Sequence, residues 1–490
     1  MKNAASSNVR KYAVFIFQRE IIRMVKQSAA VKKVRGEIQF TQGSLWKNIF
    51  LFSIPLMLSQ LLQVLFNMAD VAVVGKFSSA EALGAVGSTT ILVSLFTGFL
   101  IGMGSAVNVR VAQHLGANDK PRTAASVRTS FVICLTTGII IMVLCLLSAR
   151  FMLELLKTKD DLIDGAVLYF RIYALGMPAL GIFNFGNGAL SANGDIKRPL
   201  LYLMIAGILN VIFNLFFVIV CGMAEDGVAL SSIITQYVSA VLILIHMAKK
   251  GGDCTFRLRD LKEGADKEEL KRTLGLGIPA GLQNGIFAVA NLFIQSAVNS
   301  FDSVMVEGNS AAANSDSVIY NVMAAFYTAC STFMGQNLGA QKHDRVLKSY
   351  FISIAYSFVA GAILGGALYL FGREFLSLFA NDEAVIQAGL QRTRIMSFSY
   401  AISAFMDCTI AACRGIGKSL VPTIIVIMGS CVFRVVWIYT VFAYFRTIPS
   451  LYLLYICSWT ITALAEIVCF IVNYKKLSVK VEPKPEPITT

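Results

Sequence analysis

From Ile49 to Val74 the chain reads as one long apolar stretch interrupted by single polar residues, and the same pattern recurs to the C-terminus. Runs of about twenty mostly apolar residues are long enough to cross a bilayer as helices. Taken as spans they cover residues 49–74, 85–107, 128–149, 164–188, 199–221, 228–248, 274–300, 311–334, 349–371, 387–411, 420–444 and 451–473. A transmembrane barrel would need short segments of alternating polarity, which the sequence lacks. The pattern therefore predicts an all-α polytopic membrane protein with twelve transmembrane helices.

The chain also repeats itself. "SIPLMLSQLLQ" at 53–63 is answered by "GIPAGLQNGIF" at 277–287, and "RVAQHLGANDKPR" at 110–122 by "TFMGQNLGAQKHDR" at 332–345. "ALSANGDIKRPL" at 189–200 has a looser counterpart in "AACRGIGKSLVPT" at 411–423. Six spans per half insert both halves the same way round, giving parallel repeats related by an axis along the membrane normal. Transporters of this kind bind between their repeats and expose the site by rocking the halves. The expected organisation is a basic tail (1–43), a first six-helix lobe (44–248), a charged linker (249–272), a second lobe (273–474) and a tail (475–490), with the two pseudo-symmetric lobes enclosing a central cavity. The repeated Gln-x-Leu-Gly-Ala segments carry Gln113, Gly116, Gln336 and Gly339. They are expected to be helix ends on which the lobes pivot, with glycine as the C-terminal stop.

Composition narrows the class. Of 490 residues 56% are hydrophobic and 15% charged, against about a quarter charged in a soluble protein. The net charge of +14 is not a nucleic-acid signal, because most Lys and Arg fall on connections that share a side with the N-terminus. That asymmetry orients both termini to the cytoplasm. Arg171 and Arg434 are the basic residues weighed inside spans. The first 45 residues are basic, and their one apolar core, "AVFIF", is too short for a secretory signal. Ten cysteines without a CxxC pair read as apolar fillers, and three histidines lack ligand spacing, so no cofactor or metal centre is expected. "ACRGIGKS" at 412–419 fits a relaxed phosphate-loop pattern but joins two apolar helices instead of following a strand. It reads as a tight turn.

These features together resemble the multidrug and toxic compound extrusion (MATE) family of bacterial secondary antiporters, over roughly residues 43–475. The resemblance rests on "SIPLMLSQLLQVLFNMADVAVVG", "AQHLGAND", "GILNVIFNLFFVI", "GQNLGAQ", "RGIGKSLVP" and "FRVVWIY", in that order. It implies two six-helix lobes in a V, a multi-pass protein of the cytoplasmic (inner) membrane working as a monomer, and no enzyme activity. It also implies export of amphipathic, cationic small molecules in exchange for H+ or Na+. A lipid-linked precursor flippase of the same superfamily is the alternative, disfavoured because it would need more basic residues in the spans.

Asp70 stands inside the first apolar span, where an unpaired carboxylate is costly and marks a functional site by default. The family places a coupling-ion carboxylate there. Pro55 removes one backbone hydrogen bond from the same helix and favours a kink, and Gln60 is a further lining residue. Asn210 and Asn214 lie at i, i+4 on one helical face. Several relatives carry a second acid at the Asn214 position, so this chain departs from a two-carboxylate site. In the second half Asp407 and Arg434 are expected to form a buried charge pair. That would leave Asp316 as a second cation site, with sodium near Asp70 or Asp316 as the one metal these acids permit.

Overall fold

The computed structural model describes residues 39–377, 379–380 and 382–479; of the tails expected at 1–43 and 475–490, residues 1–38 and 480–490 lie outside them. Twelve long helical segments follow one another. They are α1 (Leu45–Phe77), α2 (Ala80–Gly116), α3 (Lys120–Leu155), α4 (Ile163–Ala174 and Met177–Ala192), α5 (Lys197–Leu215, continued by a π-turn to Val220) and α6 (Glu225–Lys250). The second set is α7 (Lys267–Val298), α8 (Ser303–Gly339), α9 (His343–Leu370), α10 (Glu383–Gly415), α11 (Leu420–Phe445) and α12 (Ile448–Val479). Ten are apolar and long enough to cross a membrane, and the two parts of α4, bent by 44°, make an eleventh span. The twelfth, α8, has 37 residues, ample length for a crossing, but Asn309, Asn314, Asp316 and Asn321 lower its hydropathy.

Five helix starts carry side-chain caps. Ser79, Asp119, Asp266, Asp302 and Asp382 accept hydrogen bonds from backbone N–H groups in the first turns of α2, α3, α7, α8 and α10. Such caps satisfy donors that hydrocarbon cannot. The bend in α4 falls at Leu175–Gly176, ahead of Pro178. The Leu175 carbonyl that the break releases accepts from the Tyr237 hydroxyl at 3.0 Å. α1, by contrast, stays helical from Leu45 to Phe77 through buried Pro55.

With an even number of crossings, both ends of the described chain and the α2–α3, α4–α5, α6–α7, α8–α9 and α10–α11 connections share one face, called here the terminal face. Among the described residues, the hydrogen bonds between the lobes lie between this face and mid-helix. α2 and α7 cross so closely at Gly102 and Gly281 that a Cβ on Gly102 would overlap the Ala280–Gly281 backbone. Among the described residues, no hydrogen bond between lobes lies farther from the terminal face than Asn284 Nδ2 to the Gly98 carbonyl, 2.9 Å, at mid-helix.

Two connections are more ordered than their charge implies. In the segment expected as a linker, Phe256 packs against the rings of Phe131 and, edge-on, Phe185, Cys254 is buried, and α7 has already begun at Lys267. Residues 39–43, expected as tail, dock on the second lobe. Asn337 Nδ2 donates to the Phe40 carbonyl at 3.1 Å, and the Arg345 guanidinium to the carbonyls of Phe40, Gln42 and Gly43.

The glycines of the duplicated segments are not helix stops. Gly116 and Gly339 end their helices in helical conformation, and the left-handed residues are Asn118 (φ 54°) and Gln341 (φ 57°). Glycine is needed for a different reason: a Cβ at either position would strike a backbone carbonyl of the other lobe. The "ACRGIGKS" segment is a turn between α10 and α11, with Gly417 at φ 84°.

Candidate functional site

α1 presents Gln63, Asn67 and Asp70 along one stripe, spaced by four and three residues, the spacing that keeps side chains on one helical face. The stripe forms one wall of a cavity of about 400 Å³ inside the first lobe. Opposite it stand Tyr169 and Tyr173 above the α4 bend, and Phe183 and Asn184 below it. Asn210 on α5 and Ser232, Thr235 and Gln236 on α6 complete the polar lining. Thr89, Thr90, Ser94 and Thr97 on α2 line it too, three of them with hydroxyls returned to carbonyls of their own helix.

Asp70 is half-buried at the cavity wall, and one carboxylate oxygen, Oδ1, accepts from Asn214 Nδ2 at 2.5 Å. Asn214 is fully buried, and what fixes it lies behind it. Its Oδ1 accepts from the Ser231 hydroxyl, and its Nδ2 also reaches Asn210 Oδ1 at 3.3 Å. Asn210 Nδ2 in turn donates to Ser232 Oγ at 3.4 Å. The chain of hydrogen bonds therefore sets the polarity of Asn214: nitrogen toward the acid, oxygen away from it. Among the described residues no protein donor contacts Asp70 Oδ2, which leaves that oxygen for whatever enters the cavity. The structure thus brings together Asp70, Asn210 and Asn214 from two helices.

Gln60 lies on the same stripe as Gln63 but one turn nearer the terminal face, and it does not line this cavity. Asn67, Tyr169, Tyr173 and Ser231 escaped the sequence reading. Only Asn67 carried a signal, as a polar residue three positions before Asp70. The tyrosines and the serine are typical of any membrane helix until the bend and the crossing of α5 and α6 bring them to the acid.

The second lobe overturns the expected pairing. Asp407 and Arg434 form no ion pair. The Arg434 guanidinium instead lies 4.6 Å from the Tyr455 ring centroid and 5.8 Å from those of Phe287 and Trp459, with Nε donating to Ser458 Oγ at 3.3 Å. Two π-turns, Ile427–Val432 and Ile438–Phe442, flank its helical turn. Aromatic faces attract a guanidinium and so replace the acid it was expected to need.

Asp316 is correspondingly not free. Its carboxylate is bonded by the Arg392 guanidinium and the Tyr400 hydroxyl, while Arg392 Nη1 donates to Asn309 Oδ1 at 2.7 Å and the Asn309 carbonyl at 2.9 Å. Tyr452 closes the network on Asn309 Oδ1 at 2.7 Å. A carboxylate already neutralised by an arginine has little field left for a cation. Arg392 lies inside the tenth span and was passed over beside Arg171 and Arg434.

At the terminal face a third polar group bridges the lobes. Glu269 on α7 is buried against Arg110 (Nη2 to Oε1, 2.7 Å) and His114 (Nε2 to Oε1, 2.9 Å) on α2. Around it Gln113 Nε2 donates to the Gly415 carbonyl at 3.0 Å, and Gln336 Nε2 to the Ala192 carbonyl at 2.8 Å. These are equivalent bonds from the two copies of the repeat.

The comparisons with known proteins agree with this architecture. The MatE family model matches twice, over residues 55–216 and 279–440, once in each lobe. The probable multidrug resistance protein YpnP of Bacillus subtilis (strain 168) is 30% identical over 362 residues, covering 74% of this chain and 80% of that protein. YoeA of the same organism, also named a probable multidrug resistance protein, is 26% identical over 399 residues, 79% of this chain and 85% of that protein. Among solved structures, an outward-facing conformation of a multidrug resistance MATE family transporter of the MOP superfamily superposes with a TM-score of 0.83. It is 22% identical and covers 91% of this chain and 100% of that one. Duplicated lobes, twelve spans and a family match in each lobe lead to one assignment: the chain belongs to the MatE family, whose members are multi-pass membrane transporters and not enzymes.

Proposed function

We propose that this protein is a secondary antiporter that exports amphipathic organic cations across the bacterial cytoplasmic membrane, in exchange for H+ or Na+, with Asp70 as the group that cargo and coupling ion share. The observation that carries this reading is the half-open coordination of Asp70. One oxygen is held by Asn214 and the other faces a cavity with aromatic walls. A flat or amphipathic cation fits such a cavity, with its charge at the acid and its apolar body against Tyr169, Tyr173, Phe66 and Phe183.

Protonation of Asp70 removes the charge that holds the cargo, so the two occupants exclude each other. The hydrogen-bond polarity favours the proton over sodium. Asn214 turns its nitrogen to Asp70 and its oxygen to Ser231, whereas a hard cation is held by several oxygens. The basic connections of the terminal face support a cytoplasmic position for it. Its closure by the interlobe hydrogen bonds supports access from the other side, outside. The names of the relatives, probable multidrug resistance proteins, support drug export.

The test uses purified protein in vesicles with a fluorescent cationic drug, and applies a pH jump and a sodium jump separately to wild type and Asp70→Asn. Expected is drug movement driven by the pH jump in wild type and lost in the variant. Wild-type rates indifferent to both gradients would exclude antiport. Full activity of Asp70→Asn would remove Asp70 from the mechanism.

A further inference from the structure

Near the terminal end of the second lobe, outside the cavity and two residues from the Gly415 carbonyl that Gln113 bonds, α10 and α12 bring together three groups that transport as described above does not use. Cys413 sits two residues before the end of α10, and Glu466 and Cys469 lie at i, i+3 on α12. The two sulfurs and a carboxylate oxygen all lie within 4.8 Å of one another. Cys413 and Glu466 are fully buried, and Cys469 is 9% exposed.

The carboxylate is the informative member. Both oxygens of Glu466 are buried and without a hydrogen-bond partner. A bare carboxylate in hydrocarbon is among the most costly groups a helix can carry, and it is retained when something satisfies it. The neighbours able to do so are two thiols and the Arg414 guanidinium, whose Nη2 donates to Gln283 Oε1 at 2.7 Å and whose Nε, like the carboxylate, is buried without a partner. Asn473 Nδ2 donates to Cys469 Sγ at 3.4 Å, a bond that supports a thiolate and fixes its direction.

We propose that Cys413, Glu466 and Cys469 form a binding site for one thiophilic divalent metal ion of the zinc class, bridging α10 and α12. Zinc takes sulfur at about 2.3 Å and carboxylate oxygen at about 2.0–2.2 Å, so its ligand atoms lie about 3.5–4 Å apart. The observed cluster, within 4.8 Å, is about 1 Å wider than that. Two thiolates and a carboxylate carry three negative charges, which a divalent ion and the nearby Arg414 guanidinium cancel. Binding displaces the protons of both thiols and of the carboxyl group where it holds one. Three protein ligands leave a fourth position for water. Harder ions such as magnesium and calcium are excluded, because they select oxygen. Sequence reading could not find the site, because Glu466 and Cys469 have the two-residue gap of a zinc motif without being a CxxC pair, and the third ligand comes from another helix.

The experiment uses tag-free, full-length protein in detergent, freed of metal with a chelator and then titrated with zinc by equilibrium dialysis. A parallel titration with cadmium follows thiolate-to-metal charge-transfer absorption. Wild type is expected to take up one ion per chain with the absorption of thiolate ligands, and Cys413→Ser and Glu466→Gln each to weaken binding at least about tenfold. In the same wild-type protein, zinc is expected to slow maleimide labelling of Cys469, read peptide by peptide, at least tenfold while leaving exposed Cys221 unchanged. That protection measurement decides the matter alone if a variant fails to accumulate. Uptake that persists undiminished in the variants, or labelling of Cys469 indifferent to zinc, overturns the proposal.

Discussion

Gly339 of the second lobe rests against the backbone carbonyl of Gln113 in the first, and Gly116 returns the same contact on Gln336. The two glycines belong to the two copies of one repeated segment, so the contact is symmetric, and each copy also lends the other lobe a glutamine hydrogen bond. This part of the terminal closure is thus built twice from the same two residue types, a glutamine and a glycine. Its weak point is volume, since neither glycine has room for a side chain.

Gly339→Val is therefore expected to force the helix ends apart, at a cost of about 1–3 kcal/mol for the overpacked contact. Spin labels replacing exposed Lys120 and Lys348 would report a longer and broader distance between lobes than in wild type. Gly339→Ala should shift the distribution less. An unchanged distribution in the valine variant would mean that the glycine contact does not limit closure.

Arg110 and Glu269 make the second element of the seal, and both side chains are nearly inaccessible, at 6% and 1% exposure. Glu269→Gln leaves the Arg110 guanidinium buried without its counter-charge, a change that costs about 3–5 kcal/mol when one partner of a buried pair is removed. Thermal unfolding of the variant in detergent should show a clear loss of stability. Replacing both partners, Arg110→Met with Glu269→Leu, should recover most of it, because the apolar pair strands no charge. Equal losses in the single and double variants would refute a stabilising ion pair.

How far the sequence carried each of these sites follows from where its information sits. Apolar runs and the duplication of Gln-x-Leu-Gly-Ala are local signals, and the helices and their twofold order were legible from them. Asp70 was legible because one carboxylate in an apolar run is conspicuous on its own. The partner of Arg434 was not, since a sequence shows that a charge needs satisfying but not whether an acid or three aromatic rings will do it. Asp316 and Arg392 lie on helices two spans apart, and their meeting depends on how α8 crosses α10. The role of Gly116 was misread for a similar reason: glycine at a helix end usually serves the backbone, and only the opposite lobe reveals the close approach.

The two acids of the second lobe should separate cleanly in a stability measurement. Asp316→Asn strands Arg392, and it is expected to destabilise by about 3–5 kcal/mol. Asp407→Asn breaks no ion pair, and Asp407 Oδ2 is buried without a partner, so its removal should change stability by about 1 kcal/mol or less in either direction. The reverse order would restore the pairing of Asp407 with Arg434.

Asn214 supplies the most direct test of how the cavity acid is held. Its side chain is anchored from behind by Ser231 and Asn210, so that its amide nitrogen meets Asp70 without further ordering. Asn214→Leu keeps the volume and removes both functions. The loss of a hydrogen bond to a charged group, worth about 1.5–3 kcal/mol, corresponds to a fall in drug transport of about tenfold or more. Ser231→Ala leaves the Asn214–Asp70 bond in place and frees only its orientation, so a smaller fall is expected, of about two- to fivefold. Transport by both variants in vesicles under one fixed pH gradient gives the comparison. If Ser231→Ala proved as damaging as Asn214→Leu, the serine would contribute more than orientation, and the site would extend behind the asparagine into the crossing of α5 and α6.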